Sequence, residues 1–459
     1  MLYNKQRLPP RPFPKGRYIK VKLAELCLVL GMLLPATAYA APPPALLTLA
    51  EAVRRGINTS PEYGVAAHQK NEARQLLLQA RSGYFPAVDL QAQGGRQQTV
   101  SPLLLPNRQN LWERQGSLTL TQLLFDGFGT AHLIKSQAYG LASADEHVRE
   151  VSEFLGLDIV QAYLDVLRQR ALLKIARVNV DDHLKILDSV KAGFAGGTGT
   201  AGDVAQVEAR LGNARATVAA VQRNLVTAED LFLQKTGEMP GNLVPPPVPV
   251  GRLPKTVDVG VQEALLNNPT LAISRAKARS ALEGYRETDA ALYPKVDFEV
   301  NGANGFNESG IRGSQRNVSA LVVMTWNLYH GGGDEDRRRE YMQRYLETTS
   351  RTEQTARQVE KDFRDTEAAL DSAKIRSIEF AAQSKADRKV VSVYLDQFKM
   401  SRRTLLDVLD AQNELFNARS NHMNEAYAAE FAVYRLLALD GKMLGILGVS
   451  SPHEARLEH

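Results

Sequence analysis

Thr404 to Arg419 reads T-L-L-D-V-L-D-A-Q-N-E-L-F-N-A-R, and a gapless counterpart lies half a chain earlier. Asp203–Arg215, D-V-A-Q-V-E-A-R-L-G-N-A-R, aligns on Asp407–Arg419, D-V-L-D-A-Q-N-E-L-F-N-A-R, with both ends 204 positions apart (407 − 203 and 419 − 215). Leu405, Val408, Leu409 and Phe416 recur at helical spacing on one face. Asp407, Asp410 and Glu414, at i, i+3 and i+7, form an acidic stripe on another. The spacing predicts two amphipathic helix starts in a duplicated chain.

Working outward, each motif follows a long proline-free stretch. None of the residues from Asn107 to Met239 is proline, and 129–194 reads as helix broken only by isolated glycines. At 1.5 Å per residue, a helix of roughly 65 residues spans on the order of 100 Å, far beyond the ~11–12 residues usual in globular domains. A glycine-rich turn at 193–202 then sends the chain back along 203–235. Its G-T-G-T-A-G matches a dinucleotide-binding pattern, but it follows a helix instead of a strand, so it reads as a hairpin turn. In the second half, 334–399 is again helical, and the returning helix runs to about Asp440.

Before each long helix the period changes to two. Val88, Leu90 and Ala92 oppose Asp89, Gln91 and Gln93; Leu118, Leu120 and Leu124 oppose Ser117, Thr119 and Thr121, with a polar loop expected over 96–113. In the second half, Val296, Phe298 and Val300 oppose Asp297, Glu299 and Asn301. Val318, Ala320, Val322, Met324 and Trp326 oppose Asn317, Ser319, Thr325 and Asn327, with a loop expected over 302–315. Tyr293-Pro294-Lys295-Val296-Asp297-Phe298 repeats Phe85-Pro86-Ala87-Val88-Asp89-Leu90, and Leu328–Gly333 repeats Leu124–Gly129. Short helices precede both hairpins, the second opening on Ser60-Pro61 or Asn268-Pro269.

The expected organisation is therefore a first repeat over 41–239, a linker over 240–254 holding six prolines, a second repeat over 255–441 and a tail over 442–459. The first repeat carries a β-hairpin at 84–125 and a long helical hairpin at 129–236; the second carries them at 293–328 and 334–440. Residues 1–40 read as a secretory signal peptide: seven basic residues, an apolar run over 23–34 and A-Y-A at Ala38–Ala40. Removing it takes seven of 56 basic and one of 51 acidic residues. The mature chain is then close to neutral, so the basic balance gives no support for a nucleic-acid partner. Cys27, the only cysteine, is lost with that segment, leaving no thiol, disulfide or cysteine metal site. No mature stretch reaches the roughly 18 apolar residues of a spanning helix.

Four strands per chain, apolar on one face and polar on the other, have the pattern of a membrane β-barrel. Four cannot close, and an open edge in lipid leaves backbone groups unpaired. Other copies of the chain must complete the barrel; closed barrels start at about eight strands, so two copies is the minimum and three would give twelve. Trp112, Trp326, Tyr329, Tyr84, Phe85 and Tyr293 lie at or beside strand ends, where interfacial aromatics belong.

The duplicated layout, the F/Y-P-x-V-D-L/F strand start, the glycine turn after the second strand and D-V-L-D-A-Q together resemble the TolC family of outer-membrane efflux and secretion channels, over essentially the whole mature chain. The resemblance implies a mixed, mainly α fold in a homotrimer: a twelve-stranded transmembrane β-barrel in outer-membrane lipid above a periplasmic α-barrel. It implies docking onto a periplasmic adaptor and an inner-membrane ABC or RND transporter, and no cofactor. It places a lumenal gate at Asp407 and Asp410, where like charges on the threefold axis would raise carboxylate pKa values and attract cations. Arg403 falls on the arginine that ties the closed tip, and Asp203 on the acidic residue of the other hairpin. The family's tyrosine partner is Phe398 here, and Met400-Ser401-Arg402 stands where the first half has glycines. Lack of a lipidated cysteine inclines the reading towards type I protein secretion over drug efflux. A periplasmic adaptor would need one hairpin and β-rich domains instead of a twofold repeat. An enzyme lacks its constellation: there is no nucleophile elbow, metal-spaced His pair or phosphate loop, and His330 reads as a turn residue.

Overall fold

The computed structural model describes residues 46–103 and 108–450. The signal segment, Cys27 and the tail beyond 450 lie outside these. The described residues form helices α1 (Leu49–Thr59) and α2 (Pro61–Ser82), strands β1 (Ala87–Val100) and β2 (Arg108–Phe125), and helices α3 (Gly129–Ala195) and α4 (Ala201–Thr236). The same order then recurs in α5 (Val257–Asn267), α6 (Pro269–Glu287), β3 (Lys295–Phe306), β4 (Ser314–Thr325), α7 (Gly333–Lys399) and α8 (Leu405–Leu439), followed by a short α9 (Met443–Ile446).

Local chemistry accounts for the boundaries. Ser60 and Asn268 cap α2 and α6, each with proline at the first turn. α3 and α7 each run 67 residues, about 100 Å. The link from β2 to α3 needs Gly127 at φ +66°, where a Cβ would lie 2.7 Å from that of Tyr293. Asp126 then accepts the Thr130 backbone N–H at 2.7 Å. At the equivalent turn of the second half, His330 Nδ1 lies 2.9 Å from Asp334, which makes it a turn residue.

The four strands form one antiparallel sheet in the order β1-β2-β3-β4. Its strands are longer than the alternation alone indicated. The segment 96–113, expected as a loop, is strand on both sides of a short connection, with Val100 opposite Arg108; 302–315 likewise shortens to a link between Phe306 and Ser314. Polar residues there pair across strands instead of looping out, Arg96 Nε donating to Asn110 at 2.8 Å, and just outside the segment Gln93 donates to Gln115.

The main core gathers midway along the long helices. Ile159, Val160, Ala162 and Tyr163 of α3 pack with Val53 and Ile57 of α1, Phe232 of α4, Phe363 and Leu370 of α7, and Leu436 and Leu437 of α8. Burial of this apolar area, at ~25 cal/mol per Å², is what holds two hairpins in register. The proline-rich linker is strapped to that core. The Tyr163 hydroxyl lies 2.7 Å from the Leu47 carbonyl and 2.6 Å from that of Val244, and the Tyr434 hydroxyl donates to Pro247 at 3.3 Å. Past Gly441, where the sequence shows no usable pattern, Met443 is fully buried. The Leu444 N–H donates to Glu153 at 3.3 Å, and burial pushes that carboxyl up to about 7.

Candidate functional site

The sheet separates chemistry by face. Because directly opposed residues of an antiparallel ladder share a face, the register writes out whole rows. Val88, Leu120, Val300 and Ala320 form one, and Leu90, Leu118, Gly302 and Val318 the next. On the other face lies Asp89-Thr119-Asn301-Ser319, with the Asn301 amide donating to Thr119 at 2.7 Å. The apolar face is bare: Leu90 is 78% and Val318 81% exposed. Along β2 the polar face is the more sheltered, Gln109, Leu111, Glu113 and Gln115 being less exposed than Arg108, Asn110, Trp112 and Arg114. A sheet curled around its polar face, with apolar residues outside, is the wall of a water-filled barrel in lipid.

Aromatic residues bracket that wall. Phe85, Tyr84, Tyr293, Trp326 and Tyr329 are all exposed at the helical end, where Trp326 Nε1 donates to the Leu292 carbonyl at 3.3 Å. Trp112 lies towards the other end, opposite Arg96. Thirteen residues of β2 separate it from Phe125 (125 − 112). At about 3.3 Å per residue and a tilt of ~45°, that is a rise of ~30 Å, the thickness of a bilayer's hydrocarbon.

At the far ends of the helices the two hairpins meet. Ile186, Leu187 and Val190 of α3, Val207 and Leu211 of α4, and Leu405, Val408 and Leu409 of α8 form a second apolar cluster. Both return helices begin with the same device. Thr200 and Asp203 at the start of α4, and Thr404 and Asp407 at the start of α8, form reciprocal capping boxes. Asp203 accepts from the Thr200 hydroxyl at 2.8 Å, Asp407 from the Thr404 hydroxyl at 2.7 Å. The Thr404 hydroxyl holds the Asp407 carboxyl below its usual range, helped by Arg403 at 3.7 Å. The T-x-x-D spacing in both copies is the signal that sequence reading passed over.

The other tip residues have specific partners. Asp410 accepts from Arg210 Nη2 of α4 at 3.1 Å, an ion pair between hairpins that nothing in the sequence indicates. The Arg403 guanidinium lies 4.1 Å from the centroid of the Tyr394 ring, and its Nε donates to Gln397 at 3.3 Å. Phe398, which the resemblance set opposite Arg403, instead packs into the apolar cluster. An aromatic partner exists, one helical turn earlier than expected. Ser401 takes the glycine's part in this turn at φ +57°, with its N–H donating to Phe398 at 2.8 Å.

Among the described residues no helix is long and apolar enough to cross a membrane, and no cluster of metal-ligating side chains occurs. A two-faced sheet continuous with 67-residue helices defines a subunit of an outer-membrane channel with a β-barrel and a helical barrel. The chain belongs to the outer membrane efflux protein family, whose model matches residues 54–237 and 260–442. It is 23% identical over 327 residues to the outer membrane efflux protein BepC of Brucella suis biovar 1, covering 71% of this chain and 72% of that one. To the outer membrane protein TolC of Escherichia coli it is 24% identical over 390 residues, covering 80% and 77%. The structure of the outer-membrane channel OprN superposes with a TM-score of 0.77 at 18% identity, covering 86% and 89%. These are channels, not enzymes, and the chain is an efflux component of the outer membrane that extends into the periplasm.

Proposed function

We propose that three copies of this chain close a twelve-stranded barrel and form the exit duct of a tripartite export system. An inner-membrane transporter, coupled through a periplasmic adaptor, would deliver cargo to the helical tip. The observation that carries this reading is the four-stranded sheet whose middle cross-strand rows, Val88-Leu120-Val300-Ala320 and Leu90-Leu118-Gly302-Val318, are apolar on one face while Asp89-Thr119-Asn301-Ser319 is polar on the other. Its outer strands, β1 and β4, each keep one edge unpaired among the described residues. In lipid those edges must be satisfied by strands of other copies. Mild-detergent extraction followed by native mass measurement tests it; a stable monomer sinks it.

Small-molecule efflux is one cargo class, the one carried in the names of the solvent and toluene efflux pump relatives of Pseudomonas putida. Protein secretion is the second reading, favoured by the absence of a cysteine after the signal segment. Deleting the gene separates them: sensitisation to small toxic compounds supports efflux, loss of secreted polypeptides supports secretion, and neither change counts against a duct.

Asp407 and Asp410, three residues apart at the start of α8, form the lumenal gate in this reading. Threefold symmetry would bring their carboxylates together and attract cations. Replacing both with alanine should raise single-channel conductance and remove block by multivalent cations. If both quantities stay unchanged, the aspartates are surface charge and the constriction lies elsewhere.

A further inference from the structure

Charge on the sheet is sorted by face, Lys295 at the start of β3, 3.0 Å from Asp297, being the one strand cation on the polar side among the described residues. The strand carboxylates Asp89, Glu113, Asp297 and Glu299 all fall on the polar face, which the ladder register fixes through Asp89 opposite Thr119 and Glu299 opposite Thr121. The strand arginines Arg96, Arg108, Arg114 and Arg316 all fall on the apolar face, where no carboxylate accompanies them among the described residues. All four are exposed. Arg96 donates to the neutral Asn110, and Arg114 and Arg316 have no side-chain partner among the described residues. A cation on a lipid-facing wall is costly unless an anion meets it.

Their height supplies the anion. Arg316 lies opposite Asn304, one row beyond Val318; Arg114 lies opposite Phe306, and Arg96 opposite Trp112. Counted from the helical end, these rows lie on the order of 20–30 Å up a tilted strand, and Arg108 lies beyond them. The arginines therefore occupy the interface away from the periplasm, in the leaflet that faces outward, interleaved with aromatic rings. The helical end has no equivalent on this face: its outward rows end in Val296, Phe298, Val322 and Met324.

We propose that these arginines form a docking belt for a phosphate-bearing glycolipid of the outer leaflet, whose acyl chains lie on the apolar rows below. A planar guanidinium makes paired, charge-assisted hydrogen bonds to phosphate oxygens. The belt rests on the barrel reading of the sheet, because only a closed barrel turns this face to lipid.

The full-length protein reconstituted in nanodiscs of zwitterionic phospholipid, with Trp326→Phe so that Trp112 alone reports, provides the test. Titration with a bisphosphorylated glycolipid should shift Trp112 emission, with affinity falling as salt rises. The variant carrying Arg96→Gln, Arg108→Gln, Arg114→Gln and Arg316→Gln should bind it at least about tenfold more weakly. The same glycolipid stripped of its phosphates should bind the unaltered belt no better than the variant binds the intact lipid. Equal binding by the Gln variant, or equally tight binding of an anionic phospholipid such as phosphatidylglycerol, overturns the assignment. Trimer mass and channel conductance are measured on the same samples. Conducting trimers that ignore the glycolipid sink the belt alone, and failure to assemble sinks the barrel reading beneath it.

Discussion

Arg210 on α4 donates to Asp410 on α8 at 3.1 Å, joining two helical hairpins whose contacting residues lie 200 positions apart. The pair sits beside the apolar cluster at the tip, yet both side chains remain well exposed, at 39% and 55%. It therefore acts as a screened clasp on a seam that packing already holds.

Exposed ion pairs contribute about 0.2–1 kcal/mol each. Arg210→Ala should raise single-channel conductance in planar bilayers a few-fold at low salt. The difference should shrink as ionic strength rises, because the clasp in the unaltered protein is screened as well. Identical conductance at low salt would remove the pair from any account of closure.

Arg403 separates two ideas of how the tip is fastened. If the Tyr394 face holds the guanidinium, Tyr394→Phe leaves conductance unchanged, whereas Tyr394→Leu and Arg403→Ser both raise it. Should Phe398→Leu loosen the tip as much as Tyr394→Leu does, the stacking geometry is incidental and general packing is responsible.

The paired capping boxes make a local prediction. Thr404→Ala and Thr200→Ala should each speed amide exchange in the first turn of its own helix, on the order of fivefold, and leave the main core untouched. The Asp407 box is also acid-sensitive. Its carboxyl is depressed in the folded chain, so its contribution is present above the unfolded carboxylate value and is lost as pH falls through the folded one. Exchange at the start of α8 that does not respond to Thr404→Ala would rule out the box as the helix stop.

Glu153 behaves in the opposite sense. Its folded pKa is raised to about 7 by burial against α9, so between about 4.5 and 7 the folded chain binds a proton that the unfolded chain has released. Stability should fall as pH climbs through that window, by on the order of 3 kcal/mol at most. Glu153→Gln keeps an acceptor for the Leu444 N–H and should abolish this part of the slope, leaving the variant the more stable at pH 8. Thermal unfolding at pH 5 and pH 8 decides it; parallel slopes would exonerate Glu153.

The repeat, the long helices and the two-faced strands were legible because each is periodic. Helix lengths follow from the spacing of prolines and glycines, and strand faces from alternation. What was missed depends on neighbours that sequence does not place. Residues 96–100 and 108–113 look like loop because arginine, glutamine and asparagine interrupt the alternation, yet a strand with water on one side and an interface on the other accommodates them. Tyr394 lies across a turn from Arg403, and Arg210 meets Asp410 only after two hairpins dock. The buried α9 is too short to show a period, and its place is set by the core that receives Met443.

α3 and α7 share one length, 67 residues, and α4 and α8 differ by a single residue, at 36 and 35. Two unlike turns, one of glycines and one of Met400, Ser401 and Arg402, are thereby carried to matching heights. Evolution inherits a restriction from this. An insertion or deletion in one half alone would leave one hairpin proud of the other and break the mouth's rim. Changes in reach must come as matched pairs of events, one in each half, so the length of this duct should drift more slowly across lineages than its sequence does.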